Sequence, residues 1–194
     1  MCGIVGVVGR QDAAPILLDA LKRLEYRGYD SAGVATLGPG GRIERRRAAG
    51  KLRNLERLVG HDPVHGTVGI GHTRWATHGA PTDANAHPHV AGRVAVVHNG
   101  IVENFRTLRE ELAGEGRAFE SETDTEAVAH LLDRALAGGA DLAGALGAVL
   151  ARLEGAYALA VLVEGQTDRI TIARSGSPLA VGFDEDVRHI VRFE

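Results

Sequence analysis

The sequence predicts an α+β fold in which stacked β-sheets lie between layers of helix. Three observations carry that expectation. Several short β-branched runs are apolar on both faces, which suits strands covered on both sides rather than a half-exposed sheet. Two pairs of segments show apolar residues at helical spacing on one face only, as helices packed on the outside of a sheet do. The apolar runs also end repeatedly in polar, glycine-bounded stretches, where functional side chains collect.

Ile4 to Val8 is apolar throughout and bounded by Gly3 and Gly9, so it reads as a buried strand with Cys2 at its head. A helix follows from Asp12, a plausible N-cap with Pro15 in the first turn; Ile16, Leu17, Ala20, Leu21 and Leu24 recur on one face until Gly28. After the polar stretch Arg27 to Gly33, Val34 and Ala35 begin a strand, and Gly38-Pro39-Gly40-Gly41 turns the chain back. The return strand carries Arg45, Arg46 and Arg47, which read as a solvated sheet edge. Leu52, Leu55, Leu58 and Val59 mark a short helix ending at Gly60.

Val68 to Gly71 is the next buried strand, followed by the polar loop His72 to Gly79 with the only tryptophan, Trp75. Past a loop carrying Asn85, His87, Pro88 and His89, Val94 to Val97 is a strand leading into His98-Asn99-Gly100. Helices are expected around Phe105, Leu108 and Leu112, from Ser121 through Leu136 to Gly138-Gly139, and from Leu142 to Leu153. Strands at Ala156 to Val163, Ile170 to Ala173 and Leu179 to Phe183 complete the reading.

With 194 residues the chain suits one domain better than two. A net charge of -3, from 22 basic and 25 acidic residues, does not point to nucleic acid or an anionic membrane. A single cysteine excludes an internal disulfide, no secretory signal is evident, and no run approaches the roughly 20 apolar residues of a membrane helix. A soluble cytoplasmic protein is expected.

Cys2 has two readings. It is a small hydrophobe opening a strand, or, once Met1 is removed, a nucleophile carrying its own base, because thiol and free α-amine then share one residue. Asn99-Gly100 alone first suggests a hairpin turn. The residues after it read as helix rather than a partner strand, however, and a side-chain amide beside a backbone N–H could hold an oxyanion. Arg74, in the loop after a core strand, could clamp a carboxylate in bidentate fashion. Asp124 could pair with an ammonium, or could belong to a capping box over Thr123 to Glu126. Trp75 fits a core aromatic or a gate. Nine histidines raise the question of a metal, but their spacing matches no zinc signature and only one thiolate is available.

In combination these stretches resemble a known family. MCGIVG at the start, RLEYRGYDSAG at 23–33, GHTRWATHG at 71–79, NAHPH at 85–89, HNGIVEN at 98–104, Ser121 to Glu126 and ARSGSPL at 173–179 are similar to the glutaminase domains of glutamine:fructose-6-phosphate amidotransferases. These are class II amidotransferases of the N-terminal-nucleophile hydrolase type. The phosphoribosyl-pyrophosphate amidotransferases share the Cys and Asn-Gly logic, but RLEYRGYDSAG with RWATHG looks like the glucosamine-forming branch.

The resemblance implies a four-layer αββα sandwich and hydrolysis of L-glutamine to glutamate and ammonia through a Cys2 thioester, without cofactor or metal. It implies that Asn99 and Gly100 stabilise the oxyanion, that Arg74 and Asp124 hold the α-carboxylate and α-ammonium, and that Thr77 and His78 complete the pocket. Trp75 matches a residue that gates the ammonia path, with Arg27, His87 and His98 in support. The ammonia acceptor would be a sugar-phosphate isomerase domain or subunit. The similarity runs to about residue 182, so residues 1–194 are expected to form one glutaminase domain without sugar-isomerase domains, either excised or acting as a separate subunit. A homo-oligomer stays open. The alternative to an active enzyme is a catalytically silent module for glutamine sensing or assembly.

Overall fold

The computed structural model describes residues 2–76, 79–178, 180–182 and 187–193, the last segment as backbone only. Two antiparallel sheets carry the architecture. The larger is six-stranded, built from β1 (Gly3–Gly9), β2 (Ser31–Leu37), β3 (Ile43–Ala49), β4 (Val68–Arg74), β9 (Ala180–Gly182) and β10 (Val187–Phe193) in the order β3-β2-β4-β1-β10-β9. The smaller is four-stranded, with β5 (His89–Ala91), β6 (Val94–Gly100), β7 (Tyr157–Val163) and β8 (Thr171–Ser175) in sequence order.

Alternation along the strands divides the core into three interfaces. On β1, Val5 and Val7 face α1 (Ala13–Leu24) and α2 (Leu52–His61), meeting Leu17, Leu21, Leu24, Leu52 and Leu55. Ile4 and Val8 point the other way, into the layer between the sheets, with Val68 and Ile70 against Ala95, Val97, Ala158 and Ala160. The opposite faces of β6 and β7, bearing Val94, Val96, Leu159 and Val161, are covered by α3 (Phe105–Gly114), α4 (Asp124–Ala137) and α5 (Leu142–Leu150). Three apolar interfaces separate four layers, so the expected αββα sandwich is formed. Ala95, Ala158 and Ala160 supply much of the small sheet's inner face.

Several expectations need correction. β4 runs on to Arg74 and β6 to Gly100, because ladder pairing uses the backbone and ignores side-chain polarity; Arg74 pairs with Ser31 and Gly100 with Tyr157. Arg74 and Asn99-Gly100 are therefore strand ends, not loop or hairpin residues. β5 forms where a loop is expected, and β10 inserts beside β1, Ile4 opposite Phe193, where no strand is read. The edge strand β3 is arginine-lined as expected, but Arg45 and Arg46 are half-buried rather than solvated, and Arg47 is the most covered of the three. Its side chain is 12% exposed, and its Nη1 donates to the carbonyls of Ala84 and Ala86 at 2.9 and 3.1 Å. The capping box does not form either. Thr123 makes no side-chain cap bond, and Glu126 instead accepts from the N–H groups of Glu120 and Ser121 and from the Ser121 hydroxyl, each at 2.7 Å.

Candidate active site

Because β1 and β4 are antiparallel, the head of β1 lies beside the end of β4, with Gly3 opposite Thr73. The end of β6 reaches the same place from the facing sheet. Cys2, Arg74 and Asn99, far apart in sequence, therefore meet at one mouth of the sandwich. A cavity of about 420 Å³ opens there, lined by Cys2, Arg27, Arg74, Trp75, Asn99 and Asp124 among others. That is ligand-sized. Gly100, His87 and His98 also line it, and Gly176 to Pro178 close one side.

The Cys2 sulfur is partly covered. It accepts the backbone N–H of Trp75 at 3.2 Å, and the Trp75 carbonyl lies 3.5 Å away. Burial pushes the Cys2 thiol up from its ordinary value, and the Trp75 N–H opposes that only in part. The resting thiol is thus protonated near neutral pH and needs a base before it can attack.

Asn99 stands across from it. Its Nδ2 donates to the Cys2 carbonyl at 2.9 Å, and its Oδ1 lies 3.0 Å from His72 Nε2. Gly100 has φ +123°, a conformation L side chains rarely adopt, and a β-carbon there would stand 2.1 Å from the Ala156 carbonyl oxygen. A close-packed strand end, rather than a turn, is what requires glycine at this position.

Arg74 is 4% exposed; Nη2 donates to the Gly79 carbonyl at 3.1 Å and Nη1 to that of Ala80 at 3.3 Å. Asp30 sits 3.7 Å from Nη1 and also accepts the Ala76 N–H, so it ties the arginine to the chain after Trp75. Asp124 is buried at the first turn of α4, where Oδ2 accepts the Val102 N–H at 2.9 Å and lies 3.6 Å from His98 Nδ1. His98 Nδ1 is 3.1 Å from the Thr125 hydroxyl, which donates to Asp124 Oδ1 at 3.3 Å. Trp75 is 47% exposed and meets Tyr29 edge to face at 5.3 Å, so it is not a core aromatic.

The structure brings together Cys2, Arg27, Arg74, Trp75, His87, His98, Asn99, Gly100 and Asp124. Thr77 and His78 lie outside the described residues. Asp30 is the residue that sequence reasoning missed, and His72 enters it only as one of the histidines weighed for a metal. Asp30 sits inside the RGYDSAG stretch, where a lone acid before a strand was the available signal. Among the described residues no three His, Cys, Asp or Glu side chains are arranged to hold a metal ion, and no helix is long and apolar enough to cross a membrane.

Two face-to-face antiparallel sheets between helical layers, with a cysteine at the head of a central strand opening on the cavity, define the N-terminal-nucleophile hydrolase architecture. A family model described as a glutamine amidotransferase domain matches residues 72–191, and the chain belongs to that family. It is 61% identical over 183 residues to a glutamine–fructose-6-phosphate aminotransferase (isomerizing) of Gluconobacter oxydans, covering 94% of this chain and 30% of the relative. It is 57% identical over 190 residues to the protein of the same name from Zymomonas mobilis, covering 98% of this chain and 31% of that one. Among solved structures, the glutamine phosphoribosylpyrophosphate amidotransferase of B. subtilis, complexed with ADP and GMP, superposes with a TM-score of 0.84 at 28% identity, covering 98% of this chain and 41% of that one. The chain thus spans under a third of the length of these curated relatives.

Proposed function

We propose that residues 1–194 act as a single glutaminase domain that hydrolyses L-glutamine to L-glutamate and ammonia. The observation that carries this reading is the placement of Cys2, Asn99, Arg74 and Asp124 on one ligand-sized cavity, a nucleophile and an amide donor beside a cation and an anion for the two charged ends of an amino acid. Family membership supports glutamine as that amino acid.

The raised thiol defines what the reaction needs. While Met1 is attached, the Cys2 nitrogen is an amide; once it is removed, the free α-amine, ordinarily with a pKa of about 8, can take the thiol proton directly or through a water. The sulfur attacks the side-chain carbonyl carbon of glutamine and the carbonyl π pair moves onto oxygen, where Asn99 and Gly100 donate. Collapse expels the amide nitrogen, which takes the proton from the α-amine and leaves as ammonia. Water then attacks the thioester, releasing glutamate and restoring the thiol. Arg74 holds the α-carboxylate and Asp124 the α-ammonium. Trp75 screens the mouth of the pocket, and Arg27, His87 and His98 support it.

The names of the curated relatives support a sugar phosphate as the final acceptor of the ammonia, on a domain or subunit other than this one. Cytoplasmic residence accords with the lone free cysteine. The test is glutamate release from glutamine by chain whose intact mass shows Met1 removed. Activity in that form, abolished by Cys2→Ala, is expected. A processed chain that binds glutamine without releasing glutamate, or a fully active Cys2→Ala, overturns the reading, and the former favours a sensing module.

A further inference from the structure

An asparagine stabilises an oxyanion only if it presents nitrogen rather than oxygen, and the shape of the amide does not distinguish the two. We propose that His72 is the positioning residue that settles this choice, donating from Nε2–H to Asn99 Oδ1 and so holding Nδ2 toward Cys2 and the incoming carbonyl. The inference rests on the glutaminase reading above.

The two backbone carbonyls at either end fix the orientation. His72 Nε2 lies 3.1 Å from the His98 carbonyl oxygen, which can only accept, so Nε2 carries the proton. The same N–H points at Asn99 at 3.0 Å, so the atom facing it is oxygen. At the other end the Cys2 carbonyl, also only an acceptor, lies 2.9 Å from the atom facing it, which is therefore nitrogen. One Nδ2 hydrogen is engaged there and the second remains for a developing oxyanion.

The histidine is itself held rigidly. It lies within β4, paired with Ile4 on one side and Gly33 on the other, and is fully buried. Its ring stacks on His87 at 4.2 Å with 17° between the planes. His72 Nδ1 has no hydrogen-bond partner among the described residues, and with the proton on Nε2 the group left unpaired there is a lone pair and not an N–H. Burial lowers the His72 pKa to about 3, so the ring stays neutral in this tautomer. A side chain on a central strand, stacked and single-tautomer, is the kind of rigid support that a precisely placed donor requires.

Two variants separate positioning from packing. His72→Phe keeps a ring against His87 but removes the donor, whereas the terminal amide of His72→Gln reaches the Nε2 position. Removal of an oxyanion donor typically costs about 10²- to 10³-fold in kcat, and a misplaced one costs less. In processed protein His72→Phe is expected to lower kcat about 10- to 100-fold with the glutamine KM within about twofold, since Arg74 and Asp124 are untouched. Inhibition by glutamate γ-semialdehyde, which forms a tetrahedral adduct with the thiol, should weaken by a similar factor while glutamate inhibition stays the same. His72→Gln should recover most of both. Wild-type kcat in His72→Phe, or equal losses in both variants, overturns the proposal. An independent readout is the ¹⁵N spectrum of the His72 ring in the wild-type chain, where a protected Nε2–H and bare Nδ1 are expected from pH 5 to 8. An Nδ1–H tautomer overturns the assignment whatever the activity. A wild-type chain that releases no glutamate removes the glutaminase reading instead.

Discussion

A β-carbon on Gly33 would stand 2.1 Å from the carbonyl oxygen of His87. Gly33 belongs to the large sheet and His87 precedes β5 of the small one, so the two sheets approach here to a distance only glycine permits. The approach also places the His87 ring against His72, which Gly33 pairs with across β2 and β4. Gly33→Ala must push the His87 segment outward. Overpacking of this kind costs about 1 to 3 kcal/mol or more, and a chain this size loses about 2 to 4 °C of melting temperature per kcal/mol. A fall of roughly 5 to 10 °C with reduced kcat is expected by thermal denaturation and glutaminase assay. Gly60→Ala in α2, where a β-carbon meets nothing within 4 Å, should instead leave stability equal or higher by about 0.5 to 1 kcal/mol. Equal melting temperatures for the two variants would count against the close approach.

Asp124 accepts the Val102 N–H across the site instead of capping its own helix in a box, which separates its charge from its structural duty. Asp124→Asn keeps an acceptor for Val102 and removes the charge. A charge-assisted hydrogen bond to the glutamine ammonium is worth about 1.5 to 3 kcal/mol, so the glutamine KM should rise roughly 10- to 150-fold. A contact of the proposed kind is the same in ground and transition states, so kcat should change little. Melting temperature should stay within a few degrees. Steady-state kinetics with unchanged KM would remove Asp124 from the ammonium site.

Much of this site was readable from sequence because its residues punctuate apolar runs. Cys2 precedes Ile4 to Val8, Arg74 follows Val68 to Ile70, and Asn99 follows Val94 to Val97. In each case a run of ladder-forming residues aims a polar side chain at the same end of the sandwich. His72 was not readable in that way. It sits inside β4 rather than at its end, and the role proposed for it depends on a contact with Asn99 in the facing sheet, 27 positions away. Strand β10 was missed for a related reason. Val187 to Phe193 pairs with Ile4 to Gly9 at the far end of the chain, and local periodicity carries no record of a partner that distant. The triple arginine illustrates the reverse error, since three consecutive arginines look solvated until Asp62 holds Arg46 and the carbonyls of Ala84 and Ala86 fold over Arg47.

The histidine layer sets how the fold responds to acid. His72, His87 and His89 are buried, the first two stacked and the third edge-on to His87 at 4.7 Å. Burial lowers all three, His72 to about 3 and the others well below the ordinary value. The unfolded chain therefore takes up protons near pH 6.5 that the folded chain refuses, so stability is full above that pH and declines as the pH falls through the window beneath it. Each such histidine contributes up to about 1.4 kcal/mol per pH unit, which for three is about 4 kcal/mol per unit. Urea midpoints should be level from pH 8 to 7 and fall steeply between 6 and 5, above the range where carboxylates titrate. His89→Gln, which can keep a hydrogen bond to the Thr123 hydroxyl, should lessen that slope by about one third. A midpoint that stays level down to pH 5 would mean that the histidines gain protons within the folded protein and that the layer is open to water.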